Sequence, residues 1–83
     1  MKYIVFKPSE TSIKENMYLF PDLDSHDEVY RKLRTFASVL VSAGFVYNDG
    51  DNIPYCTGYS SSLSIKSRPD HDTKLLHRLM ERM

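Results

Sequence analysis

The chain has 83 residues and carries eleven basic and eleven acidic side chains, so its formal net charge is zero. This balance excludes a strongly basic nucleic-acid-binding protein and an acidic mimic of DNA. The single cysteine excludes a disulfide-stapled secreted scaffold, and no apolar run approaches the ~20 residues that span a bilayer. We therefore expect one domain over residues 1–83, in the cytoplasm and without a membrane segment.

The first third of the chain predicts a central strand followed by a segment of mixed character. Residues 3–6 are four consecutive β-formers without polar alternation, which is typical of a strand buried on both faces, and Pro8 ends it. In residues 9–24, a short helical stripe is one interpretation and an edge strand over residues 17–20 is another. We expect a loop containing a short strand.

A long helix is predicted next. Residues 25–28 form a capping box, with a serine hydroxyl followed three residues later by a glutamate. Val29, Leu33 and Leu40 continue a helical apolar stripe, and Gly44 is a natural terminator, so we expect the helix to run to about Ala43. Its second half, residues 36–43, is apolar nearly all round, which indicates packing on two sides or against a partner.

The rest of the chain predicts two or three strands and a second helix. Residues 45–47 form a strand, and residues 48–52 form a turn centred on Asp-Gly that indicates a hairpin. Residues 53–58 are a ragged edge, and residues 59–66 alternate as a strand with one buried face. Pro69 opens a helix whose apolar stripe reaches Met83.

The element order is therefore β-α-β-β-α, which predicts a small α+β two-layer sandwich. We expect both helices on one face of a three- or four-stranded sheet, because their apolar stripes need a sheet face to cover. A right-handed crossover through the long helix would make the first two strands parallel. By element order alone, the arrangement resembles a ferredoxin-like fold without its last strand.

No pattern of reactive side chains predicts an enzyme. Cys56 lacks the arginine that a phosphatase-type loop places six residues later, where this chain has Ser62. The histidines His26, His71 and His77 lack the spacing of a metal site on one helical face. We expect no cofactor, no metal and no catalytic residue, and a small enzyme using Cys56 with a histidine is the third hypothesis.

The leading hypothesis is a small, non-enzymatic protein-interaction module that forms a homodimer and inhibits or modulates a partner protein. Compact chains of this kind are common among phage and mobile-element proteins that act on host machinery. Aromatic and methionine side chains are enriched where proteins meet proteins. The predicted interface residues are Phe36, Val39, Leu40, Tyr47, Tyr55, Tyr59, Met80 and Met83.

The alternative hypothesis is a regulator that binds RNA or DNA. Residues 29–83 carry a modest basic excess, and a face that combined these side chains with a tyrosine would offer phosphate contacts and base stacking. The candidate residues for this function are Arg31, Arg34, Lys66, Arg68 and Arg78.

Overall fold

The computed structural model describes residues 1–48 and 53–82, which form a small α+β fold. The elements are β1 (Lys2–Lys7), β2 (Asn16–Phe20), α1 (His26–Leu33), β3 (Val39–Asn48), β4 (Pro54–Thr57), β5 (Tyr59–Ser60), β6 (Ile65–Lys66) and α2 (Pro69–Glu81). Four strands form an antiparallel sheet in the order β2-β1-β3-β4, and β5 and β6 form a separate two-stranded ribbon. The α+β class is therefore confirmed.

Strand β1 is the centre of the sheet, as its continuous apolar run predicts. Tyr3, Ile4 and Val5 have no exposed surface. Tyr3 and Val5 pack with Leu76 of α2 on one face, which we call face A. Ile4 packs with Val29 of α1 on the other, which we call face B. Side chains alternate along a strand, so burial of consecutive residues requires cover on both sides of the sheet.

The two helices consequently lie on opposite faces, and the expectation of both on one face of a two-layer sandwich is wrong. The predicted parallel pairing is also wrong, because β1 pairs with both β2 and β3 in antiparallel register. Helix α1 crosses over β1 and connects β2 to β3, which flank β1. The physical reason is that the ambiguous segment before α1 supplies a full strand, β2, so the crossover starts from β2. The ferredoxin-like order is not confirmed.

The first helix is much shorter than predicted. Helix α1 ends at Leu33, and residues 39–43 lie in strand β3. A turn over residues 35–38 separates the two elements. It is closed by a hydrogen bond in which the backbone N–H of Thr35 donates to the Ser38 hydroxyl at 2.8 Å. Such side-chain bonds compete with helical ones. A run of apolar residues with two valines suits a buried strand as well as a helix, and pairing with β1 selects the strand.

The predicted strand over residues 59–66 is also divided. Strands β5 and β6 are two residues each and are joined by a turn at residues 61–64. The Ser60 hydroxyl accepts the backbone N–H of Leu63 at 3.3 Å, and Ser64 has a positive φ of 52°. The serine run thus forms a turn, and Leu63 and Ile65 pack on face B beside α1.

The second helix agrees with its prediction at the start. Helix α2 begins at Pro69 and carries acidic residues in its first turn. Neither described helix has the length and apolar character that crossing a membrane requires. Of the predicted hairpin turn over residues 48–52, residues 49–52 lie outside the described residues, although β3 and β4 on either side of it do pair. Helix α2 ends at Glu81, and Met83, the predicted end of its apolar stripe, lies outside the described residues.

Gly58 lets the chain leave β4 for the β5–β6 ribbon. Its φ is +102°, and a Cβ atom there would lie 2.9 Å from a ring carbon of Phe45. We expect Gly58→Ala to lower the free energy of unfolding by about 1–3 kcal/mol, because both the backbone conformation and the space disfavour a side chain. Urea denaturation measures this, with exposed Ser61→Ala as the control expected to change little. An unchanged stability in Gly58→Ala would contradict this backbone geometry.

Candidate interaction surface

Six aromatic rings follow one another across face B, and we call them the aromatic row. In spatial order the members of the row are Tyr18, Phe20, His26, Phe45, Tyr47 and Tyr55. Successive ring centroids are 6.3, 5.5, 5.4, 6.2 and 6.0 Å apart. Aromatic pairs at such distances stabilise each other beyond simple burial, so the row is a connected structure.

The centre of the aromatic row is buried around His26, the first residue of α1. Its ring meets Phe20 and Phe45 edge-on, at 84° and 87° between ring planes. The Nε2–H of His26 donates to the Gly44 carbonyl at 2.9 Å. Burial lowers the pKa of His26 below its ordinary value, which favours the neutral ring. The row is thus anchored in the core by packing and one hydrogen bond.

Both ends of the aromatic row reach the surface. Tyr18 is 46% exposed, while Tyr47 and Tyr55 are 48% and 40% exposed. Tyr47 on β3 and Tyr55 on β4 are opposite each other. Both lie beyond Phe45, the last residue of β3 that pairs with β1, so only β3 and β4 form the sheet there. A tyrosine held by its neighbours loses little conformational freedom on binding and offers both an apolar ring and a hydroxyl. This end of the row is therefore the candidate contact surface.

The structure brings two of the three predicted tyrosines together. Tyr47 and Tyr55 are neighbours in the row, whereas Tyr59 lies on β5, opposite Lys66 of β6. The sequence interpretation missed the other four members of the row, which are Tyr18, Phe20, His26 and Phe45. Alternation of Tyr18 and Phe20 on an edge strand was a usable signal for Tyr18, but nothing local places His26 between two strands.

The other predicted interface residues lie elsewhere. Phe36 is fully exposed in the turn after α1, and Val39 and Leu40 are half-buried at the start of β3. Met80 is 42% exposed on α2, the helix of face A. The structure therefore separates Met80 from the α1 side of the sheet, and Met83 lies outside the described residues.

A cluster of charged side chains joins α2 to β1 and to the segment before β2. The Asp72 carboxylate, which has no exposed surface, accepts the Tyr3 hydroxyl at 2.6 Å and the Arg68 Nη2–H at 2.8 Å. Arg68 also donates from both Nη atoms to Glu15, at 2.9 and 3.2 Å. His71 Nε2 lies 3.0 Å from the same Glu15 carboxylate. The buried charge of Asp72 is thereby compensated, as a buried carboxylate requires.

The electrostatics of this cluster shift several pKa values. Hydrogen bonding to Arg68 holds the pKa of Glu15 at about 2. Burial, reinforced by the hydrogen bond to Asp72, raises the pKa of Tyr3. Burial also raises the pKa of the Cys56 thiol to about 11. A reactive cysteine needs the opposite shift, so this geometry gives no support to the Cys56 enzyme hypothesis.

The predicted nucleic-acid-binding residues do not share one face. Arg31 and Arg34 lie at the end of α1 on face B, and Arg31 pairs with Asp27 at 2.9 Å. Arg68 is committed to Glu15 and Asp72, and Arg78 lies on α2 on face A. Lys66 lies opposite an exposed tyrosine, Tyr59, on the β5–β6 ribbon. Within residues 1–48 and 53–82, no group of three or more His, Cys, Asp or Glu side chains is arranged to hold a metal ion.

Comparisons with known proteins add no assignment. No protein-family model matches the chain, and searches of curated proteins and of solved structures find no significant match either. The functional argument therefore depends on the chain's own surfaces.

The charged cluster predicts a specific pH dependence of stability. As the pH falls, the unfolded chain protonates Glu15 near its ordinary value of 4.5, while the folded chain resists until about 2. Stability from this carboxylate is therefore present above about pH 4.5 and is lost on acidification towards pH 2. We expect Glu15→Gln to cost about 1–3 kcal/mol at neutral pH, and the difference from wild type to vanish near pH 2.

Guanidinium denaturation at a series of pH values measures this difference. Glu10→Gln is the matched control, because Glu10 is an exposed glutamate in the same segment. Its stability should follow wild type within about 0.5 kcal/mol at every pH. A constant gap between Glu15→Gln and wild type down to pH 2 would contradict the proposed protonation behaviour.

Proposed function

We propose that this protein is a small, non-enzymatic interaction module that forms a homodimer and binds and modulates a partner protein. The observation that carries the proposal is the aromatic row, whose centre is locked in the core while Tyr47 and Tyr55 are held at the surface. Rigid, half-exposed tyrosines are typical anchors of protein interfaces. The exposed end of the row is the proposed contact with the partner.

The start of β3 supports self-association. Residues 35–48 contain no charged side chain. Strand β4 pairs only with Phe45–Asn48, so no described strand pairs with the β4-side edge of Val39–Val41, whose side chains are half-buried. Residues 42–44 are buried and do not belong to this open edge. An uncharged edge of this kind is a template for pairing with another chain, and natural proteins usually cover it or add charge to it.

We propose that two copies meet along these edges about a two-fold axis, with Phe36 of each copy packed in the contact. Antiparallel edge pairing suits this symmetry, because the same surface serves both copies. The absence of charge in residues 35–48 means that like charges do not oppose one another there. Val39 and Leu40, at the start of β3, would be covered in the same contact.

Small size is typical of phage and mobile-element proteins that act on host machinery. On this basis we propose a cytoplasmic host protein as the partner that Tyr47 and Tyr55 contact. Inhibition or redirection of that partner would follow from occupying its surface, without a chemical step.

The proposed homodimer can be tested by measuring the mass in solution of wild type and of a Phe36 variant. Sedimentation at micromolar concentration should give twice the 9.7 kDa monomer mass, and Phe36→Glu should give a monomer with an unchanged circular dichroism spectrum. Leu23→Glu is the matched control, because Leu23 is another fully exposed apolar side chain, and it should remain dimeric. Wild type that is monomeric at every concentration would contradict the homodimer.

The partner contact predicts a capture experiment that depends on the tyrosines. The tagged protein is incubated with extract of its natural host, and the double variant Tyr47→Ser/Tyr55→Ser is expected to lose the proteins that wild type retains. Leu23→Ser should retain them, because Leu23 is an exposed apolar side chain that is not one of the rings of the row. Equal retention by the double variant and wild type would contradict the role of the aromatic row.

Nuclease treatment in the same experiment tests the nucleic-acid alternative. One observation favours that alternative, namely the cross-strand pair of exposed Tyr59 and Lys66, which offers a stacking ring beside a cation. Retention that disappears after nuclease treatment, and binding of RNA or DNA that weakens with salt and with Lys66→Ala, would replace the protein-partner proposal. Retention that survives nuclease supports a protein partner.

A further inference from the structure

A groove runs between the segment before β2 and the outer side of α2. Its volume is about 470 Å³, and one wall is residues 13–17. The other wall is formed by four α2 residues and by the residue that caps the end of α2, namely His71, Leu75, Arg78, Leu79 and Arg82. Met17 and Leu75 form part of the floor, since both also pack on the face A core. The groove lies on the side of the sheet opposite α1.

The charges around this groove are unbalanced. Lys14, Arg78 and Arg82 are exposed on its rim and form no ion pair with any residue that the structure describes. Among the described residues that line it, Glu15 is the only acidic one, and its carboxylate already accepts from Arg68 and faces His71. The groove therefore presents an apolar floor and an uncompensated positive rim, which together favour an acidic ligand that also carries apolar groups.

The backbone beside the groove is an open strand edge. Strand β2 is the terminal strand of the sheet, and its first two residues, Asn16 and Met17, line the groove. An edge strand presents N–H and C=O groups that a further extended chain can pair with. Recognition by strand addition combines such backbone pairing with side-chain contacts in a neighbouring groove.

The lining favours a peptide over a nucleic acid. Apart from the His71 imidazole at its edge, which is engaged by Glu15, the described lining contains no aromatic ring. Stacking of bases on aromatic side chains supplies much of the affinity for single-stranded nucleic acid, and this groove offers methionine, leucine and isoleucine instead.

From these observations we infer that the groove binds an extended acidic segment of a partner protein, added as a fifth strand on the free edge of β2. Carboxylates of the segment pair with Lys14, Arg78 and Arg82, and its apolar side chains contact Met17 and Leu79. The inference rests on the proposed function and names the chemistry of one partner segment. The groove is a third contact surface, separate from the Tyr47–Tyr55 end of the aromatic row and from the β3 edge.

The probe is a fluorescein-labelled octapeptide made of two Glu-Glu-Val-Val repeats, titrated into the full chain. Because side chains alternate along a strand, each face of this peptide carries both glutamate and valine. Binding should be saturable below about 1 mM, and a lysine–valine octapeptide should not bind. The glutamate–valine octapeptide with N-methylated valine amides keeps charge and apolar surface but loses the donors that strand addition needs. Equal binding of the N-methylated peptide, or no binding of the parent peptide, would overturn the inference.

A pair of charge reversals locates the site. Arg78→Glu should weaken binding by about 5- to 30-fold, since reversal replaces one attraction by one repulsion at the rim. Arg34→Glu changes the net charge by the same amount on the other face of the sheet and should change binding by less than about 2-fold. Equal weakening by both variants would show attraction to net charge alone and would overturn the groove assignment.

Two further measurements separate this inference from its competitors and from the proposed function. Amide chemical-shift changes on peptide binding should concentrate in residues 13–20 and in α2, and changes concentrated at Tyr47 and Tyr55 would overturn the groove assignment. Displacement of the peptide by oligo-dT at equal concentration would instead identify a nucleic-acid groove. Phe36→Glu should bind the peptide like wild type. Failure of the homodimer proposal and failure of the groove proposal can therefore be told apart.

Discussion

The whole structure depends on the burial of β1 on both faces. Tyr3, Ile4 and Val5 alternate between two cores, so the sheet requires cover on each side, and one helix supplies it on each. This constraint places α1 over face B and α2 over face A. Burial of Tyr3 also brings its hydroxyl into an apolar layer, where Asp72 accepts it. The buried charge of Asp72 is compensated by Arg68, which also donates to Glu15. Burial of one tyrosine hydroxyl therefore involves three further side chains in hydrogen bonds.

The same constraint determines which surfaces remain open. Two short helices cannot cover a four-stranded sheet completely. On face B the β3–β4 ribbon extends beyond α1, which leaves the end of the aromatic row at Tyr47 and Tyr55 exposed. On face A, α2 packs closely against β4 and Leu76 enters the core, so a groove remains towards β2. The uncharged start of β3 is the third open element. These surfaces lie on different sides of the sheet, so the self-association and the partner contacts proposed above would not compete for the same residues.

Part of the fold was predictable, and particular residues show why the rest was not. The apolar run of β1, the acidic first turn of α1 and Pro69 at the start of α2 are local signals, and each marks its element correctly. Val39 and Leu40 also fit a helical stripe, yet they lie in a strand, because the partner strand is about thirty residues away and no local spacing reveals it. The candidate site likewise contains residues that local sequence indicates and residues that it does not. Tyr47 and Tyr55 could be predicted from a hairpin signal, whereas His26 between Phe20 and Phe45 could not.

The sequence by itself determined the α+β class, the central position of β1 and the starts of both helices. Periodicity, capping residues and prolines act within a few residues, so these features can be read from a short stretch of chain. Only the tertiary structure decided that residues 39–43 form a strand, that the helices take opposite faces, and that Glu15 meets Arg68 across 53 positions. Each of these outcomes depends on a residue far away in the chain that buries an apolar face or compensates a charge. The sequence around each element does not indicate which distant residue that is.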